Sequence, residues 1–294
     1  MTFSFFKLHV AGDDFILIDL SRASHQHFER KEEALRDLAS AILDRRKGVG
    51  GRACIFVGLE GSSKLPKIRS PILAARIFNV DGTEDYSGLD ALFCIARWAL
   101  DSGEAPSSKV RMRVLNQEYT LNALDSRSFL MELPCVEADR PKRIDLLIDG
   151  HPAQAYLINL DKAYAVVMAS SEGAGPKRIR KALSTLLPQA SSIVVSFKGL
   201  DILRFGATEA VDRIRAATAS LMAANFSGRI DGGAVAEWRG RGRAISYAHF
   251  DTPILGEEPG ALIDRGRFWI EWKDKKIILA AGMAEYAFEG SFDH

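Results

Sequence analysis

Residues 3–9 and 15–19, rich in Phe, Leu and Ile, read as two short strand-like runs on either side of the turn Val10-Ala11-Gly12-Asp13-Asp14. That pattern predicts an opening hairpin of two short strands. From 30 to 46 the apolar residues Ala34, Leu35, Leu38, Ala41 and Ile42 recur at helical spacing, and Gly48, Gly50 and Gly51 end the helix. Residues 53–59 and 72–80 read as strands around a loop at 62–71. A helix follows at about 89–100, stopped by Ser102 and Gly103. The pattern then returns to short strands at 109–115, 119–124, 128–133, 145–148, 153–159, 163–169, 193–198 and 200–205. A helix at about 177–187 interrupts them. A longer one at about 208–225 is rich in Ala and contains neither Gly nor Pro.

The order of elements therefore repeats: strands with a peripheral helix, then one apolar, Ala-rich helix near the end of each half. A helix apolar on most sides needs burial all round, and a curved sheet wrapped about it supplies that. The expectation is an α+β protein of two pseudo-symmetric lobes, each a mostly antiparallel curved sheet around a central helix, with a cleft between them. The first lobe is expected at 1–110 with 282–294 and the second at 111–281.

Composition narrows the function classes. With 47% hydrophobic residues the chain has ample material for a core. Lys and Arg number 39 against 38 Asp and Glu, which gives no electrostatic case for nucleic acid or an anionic membrane as partner. Cys54, Cys94 and Cys135 are too scattered for a disulfide framework or a metal site, and His9, His25, His27, His151 and His249 form no ligand cluster. No stretch of about 18 uncharged apolar residues occurs, and the N-terminus lacks a signal pattern, so a cytoplasmic protein is expected.

Four stretches carry a family resemblance. The opening Phe-Phe-Lys-Leu-His-Val-Ala-Gly-Asp-Asp-Phe-Ile-Leu-Ile-Asp is similar to the start of the diaminopimelate epimerase family. The segment at 76–97 (RIFNVDGTEDYSGLDALFCIAR) resembles that family's first-site motif without a gap at either end, and 270–290 resembles its closing segment. The run GATEAVDRIRAATASLMAA at 206–224 lies more loosely on the second-site motif. The resemblance implies a cofactor-independent fold in which two cysteines face each other across an amino-acid α-carbon. The α-carboxylate would sit at the starts of the two central helices, where free amides and the helix dipole favour an anion.

The chemistry of that family is missing from this sequence. Its first cysteine position falls on Gly88 and its second on Val211, so neither can take a proton. The Gly-Asn-Gly that follows in the first motif becomes Leu89, Asp90 and Ala91, and the Gly-Ser-Gly of the other becomes Asp212, Arg213 and Ile214. Side chains there obstruct the backbone's approach to a carboxylate. Among ligand positions, Asp13 stands where the family has an amide, Tyr164 falls in the second-lobe ligand segment, and Asn79 persists. Framework residues Lys7, Asp14, Phe15, Asp81 and Gly82 persist as well.

Carboxylates could replace the thiols, as they do in the related phenazine-biosynthesis isomerases. The candidates are Glu84, Asp85, Tyr86 and Asp90 near the first loop, with Glu209 and Asp212 near the second. An acidic residue at a helix start is more often a cap, and that is the expectation for Asp90 and Glu209; Asp212 is expected to pair with Arg215. Taken together the losses favour a binding or partner subunit without two-cysteine epimerase activity, a pseudoenzyme taking a small amino-acid-like or carboxylate ligand. The alternative is a cofactor-independent isomerase using Asp or Glu. The extra segment at 229–264, with its Arg-Gly run, reads as a hairpin that either caps the cleft or forms the interface of a homodimer.

Overall fold

A computed structural model describes residues 1–21, 32–58, 72–84, 88–105, 108–115, 117–134, 140–148, 150–160, 163–169, 176–198, 202–207, 213–228, 233–239, 247–251, 267–274 and 276–294. The chain divides into two compact units, Met1–Met131 with Gly282–His294, and Glu132–Ala281.

The first unit opens with the expected hairpin, β1 (Thr2–Val10) and β2 (Asp13–Asp19), paired antiparallel through Leu8 and Phe15. Its turn places Ala11 and Gly12 at φ 47° and 87°, a conformation that glycine adopts without strain. Helix α1 (Glu32–Leu43) leads to β3 (Ala53–Val57), which runs parallel to β2, and β4 (Ile72–Asn79) returns antiparallel to β3. Helix α2 (Ala91–Asp101) follows, then β5 (Lys109–Val114), β6 (Gln117–Ala123) and β7 (Ser128–Pro134). Later in the chain, β16 (Ile277–Asp293) lies beside β7 and pairs antiparallel with β1, which closes eight strands into a barrel.

Two apolar layers hold this barrel. Cys54, Phe56, Ile16, Ile18 and Phe78 form one buried cluster with Leu35, Leu38 and Ile42 of α1. The alternating residues of the same strands, among them Phe15, Leu17, Ala53 and Ile55, point to the other face, and they are fully buried too. On that face lies α2, packed against β1, β2, β3 and β5. Residues Ala91 to Ala96, Trp98 and Ala99 are all buried, so the helix has almost no solvent face, and its alanines let the strands close around it.

The second unit repeats the order: β8 (Lys142–Ile148), β9 (His151–Asn159), β10 (Ala163–Ala169), α3 (Pro176–Leu186), β11 (Ala190–Lys198), β12 (Ile202–Ala207) and α4 (Arg213–Phe226). Strands β13 (Gly233–Arg239), β14 (Tyr247–Asp251) and β15 (Arg267–Lys273) complete it, with Ile277–Lys273 and its neighbours pairing the start of β16 to β15. As in the first unit, one strand pair flanking the peripheral helix is parallel (β10 with β11) and the next is antiparallel (β11 with β12). Helix α3 packs on β8, β10 and β11, while α4 is surrounded by β9, β10, β11, β12, β13 and β15. Residues 214–224 of α4 are buried without interruption.

The boundary of the first unit differs from the expected one, and the strands around the Arg-Gly run pair as expected. The first unit extends past residue 110 to Met131, because β5 pairs in parallel with β4 and carries β6 and β7 with it. The strands flanking the Arg-Gly run do form an antiparallel pair, Val235 opposite Asp251 through Arg239 opposite Tyr247; residues 240–246 between them lie outside the described residues.

One ion-pair cluster ties β1 and β2 to the α1–β3 connection. Lys7 Nζ lies 3.1 Å from Asp14 Oδ2 and donates to the Gly50 carbonyl at 2.8 Å, and Arg45 Nη2 reaches Asp14 Oδ1 at 2.8 Å. Burial alone would raise the Asp14 carboxyl, but hydrogen bonds from Lys7 and Arg45 outweigh it and hold the group below its usual range. A carboxyl lowered in the folded state stabilises above its unfolded titration range and loses that contribution as pH falls through the lowered value. Lys7→Met is therefore expected to cost about 1–3 kcal/mol at pH 7. Urea denaturation across a pH series should show the gap from wild type narrowing as pH drops below the ordinary carboxylate range.

Candidate functional site

The ends of β2, β3 and β4 converge at the start of α2. Lateral pairing puts Phe15 beside Ala53 and Ala53 beside Asn79, so Asp13, Arg52 and the turn after Asn79 share one end of the sheet. The Arg52 backbone N–H donates to the Asp14 carbonyl at 2.7 Å and fixes that approach. After β4, Asp81 Oδ1 accepts from the Thr83 N–H at 3.0 Å and from its hydroxyl at 2.5 Å. The tight turn this makes requires a positive φ at Gly82, which is at 74°.

Each candidate side chain within the described residues has a definite place. Asn79 donates from its amide to Thr83 Oγ1 at 3.3 Å. Asp13 is paired with Arg52, whose Nη1 lies 3.1 Å from Asp13 Oδ2. Glu84 is engaged in a bidentate pair with Arg76, at 2.9 and 2.8 Å, and serves to lock the loop onto β4. Tyr164 is fully buried in β10 of the second unit. Asp85, Tyr86, Glu209, Val211 and Asp212 lie outside the described residues.

Asp90 departs from expectation. It occupies the residue before α2, but its side chain makes no capping hydrogen bond. It is 1% exposed, and neither carboxyl oxygen has a hydrogen-bond partner among the described residues. Its nearest counter-charge is Arg52, with Nη1 3.9 Å from Asp90 Oδ2, beyond hydrogen-bonding distance. The expected exposed cap is thus replaced by a buried, bare carboxylate. The cause is local: the N–H groups of Ala91, Leu92 and Phe93 bond to the carbonyls of Gly88, Leu89 and Asp90 at 3.1–3.2 Å, a tight first turn that leaves those amides nothing to offer the side chain. Leu89, between Gly88 and Asp90, is buried as well.

The described thiols are unsuited to proton transfer. Cys54 and Cys94 are buried, and desolvation pushes both well above the ordinary thiol value, with the Asp90 charge adding to the effect at Cys94. Among the described residues no cluster of His, Cys, Asp and Glu is placed to hold a metal ion, and no helix is long and apolar enough to cross a membrane. A separate cavity of about 420 Å³ lies at the far end of α2, lined by Phe6, Trp98, Asp101, Tyr286, Phe288 and Glu289.

No protein-family model matches the chain. In sequence it is 24% identical to the O-ureido-serine racemase of Streptomyces lavendulae, over 100% of this chain and 96% of the racemase. It is 30% identical to the diaminopimelate epimerase of Cupriavidus pinatubonensis, over 52% of this chain and 49% of the epimerase, so that match spans about half the relative's length. Among solved structures it is similar to a phenazine biosynthesis PhzF-family protein of Enterococcus faecalis, with a TM-score of 0.61 at 11% identity and all of both chains covered. It is also similar to methylitaconate-delta-isomerase, with a TM-score of 0.57 at 12% identity over 99% and 95% of the two chains.

The buried thiols yield a direct check. Alkylation of the native protein, mapped by mass spectrometry, should leave Cys54 and Cys94 unmodified until denaturant is added; labelling of either under native conditions would show that its burial is overstated.

Proposed function

We propose that this chain, which has the diaminopimelate epimerase fold and is related in sequence to racemases and epimerases, is a cofactor-independent isomerase of a small amino-acid-like or carboxylate-bearing substrate, working without a pair of thiols. The observation that carries this reading is Asp90. Burying a carboxylate with no hydrogen bond is costly, and a fold keeps such a group where a ligand meets it or where it handles a proton. Glycine at position 88 contributes no titratable group, and Asp90 is the acidic residue closest to it along the chain.

The binding or partner role expected from sequence draws support from Leu89, a buried side chain next to Gly88 in the chain. Asp90 weighs against it, because a site under no chemical demand gains stability from an apolar or hydrogen-bonded residue there. Asp85, Glu209 and Asp212 are the remaining candidates for the opposing acid or base.

Incubating the protein in deuterium oxide with a panel of amino acids and unsaturated or branched carboxylic acids tests the reading. At least one substrate should take up deuterium next to its carboxylate, alkylating agents should leave the rate unchanged, and Asp90→Asn should lower it about 100-fold or more. Diaminopimelate is expected not to exchange at an epimerase-like rate. Exchange abolished by alkylation would restore a thiol mechanism. Tight ligand binding without exchange across the panel would favour the binding role.

A further inference from the structure

The resemblance implies that the start of each central helix seats a carboxylate. At α2 the local chemistry runs the other way. The N–H groups of Ala91, Leu92 and Phe93, which would donate to an anion, are spent on carbonyls three residues back. In their place stands Asp90, an acceptor with two bare oxygens and 1% exposure. Beside it, Arg52 lies between Asp13 Oδ2 at 3.1 Å and Asp90 Oδ2 at 3.9 Å. Two carboxylates thus share one guanidinium, and the closer contact belongs to Asp13. Asp14, the next residue along β2, points to the other face of the sheet and has its own cations, Lys7 and Arg45.

We propose that Asp13, Arg52 and Asp90 form a seat for a primary ammonium group, so that the ligand presents its cationic end, and not a carboxylate, to the start of α2. A primary ammonium carries three donors and one positive charge, which matches the two Asp90 carboxyl oxygens that have no hydrogen-bond partner among the described residues. The approach is from the side of Arg52 and Asp13, whose side chains are 22% and 16% exposed. Asp13 holds the guanidinium in place, and Arg52 keeps the two acidic groups from repelling each other while leaving Asp90 short of a full partner. This assignment rests on reading the cluster as a ligand site, and it does not require turnover.

Equilibrium binding tests it on the intact chain, with propylammonium as the probe and propionate as the anionic control at matched ionic strength, followed through backbone amide NMR signals. Propylammonium should give saturable shifts at residues 52 and 88–92, and propionate should give none. Asp90→Asn should weaken propylammonium binding about tenfold or more, and Asp13→Asn should weaken it less. Arg52→Met should tighten it severalfold, a gain that a purely structural role for Arg52 would not produce. Should Asp90→Asn fail to fold, the Asp13→Asn and Arg52→Met arms decide. Propionate saturating the same amides, unchanged affinity in folded Asp90→Asn, or weaker binding in Arg52→Met would overturn the proposal. Asp90-dependent isomerisation of a substrate lacking an amino group would also overturn it, while leaving the isomerase reading intact.

Discussion

The enclosure of a helix that is apolar on nearly every side is the constraint from which the first unit follows. Helix α2 presents Ala, Leu, Phe, Ile and Trp in nearly every direction, so it is stable only when apolar strands surround it. Closing β1 to β7 and β16 into a barrel meets that demand and leaves the helix a single position along its axis. Its start is thereby held at the ends of β2, β3 and β4, and Asp13, Arg52 and Asp90 are brought together by the packing of residues that have no chemistry of their own. The second unit encloses α4 in the same way, with a buried stretch rich in alanine.

Much of this was legible in the chain. The opening hairpin, the two peripheral helices and the two enclosed helices follow from hydrophobic spacing and glycine punctuation, and the repeat in their order points to two similar lobes. The unit boundary was harder. Parallel pairing of β4 with β5 joins strands separated by a whole helix, and no local pattern announces it, so the first unit was expected to end some way before Met131.

Asp90 shows why the site was less legible than the fold. An acidic residue just before an apolar helix has the composition of a cap, and sequence carries no sign that the first turn will tighten and use its own amides. Only the backbone reveals that the N–H groups of Leu92 and Phe93 face carbonyls instead of the Asp90 side chain. Likewise Arg52 sits in a glycine-rich connection that reads as a plain loop, and its role emerges from the parallel pairing of β2 with β3. Asp13 stands out in the sequence as an anion in the opening turn, and the fold pairs it with Arg52 at 3.1 Å.

The most direct measurement is a high-resolution crystal structure of this chain, read at the Asp90 carboxyl. The account predicts a donor from outside the chain, water or ligand, within about 2.7–3.2 Å of at least one oxygen, and no hydrogen bond from the Leu92 or Phe93 N–H. An Asp90 side chain accepting from either of those amides, as an ordinary helix cap, would contradict it.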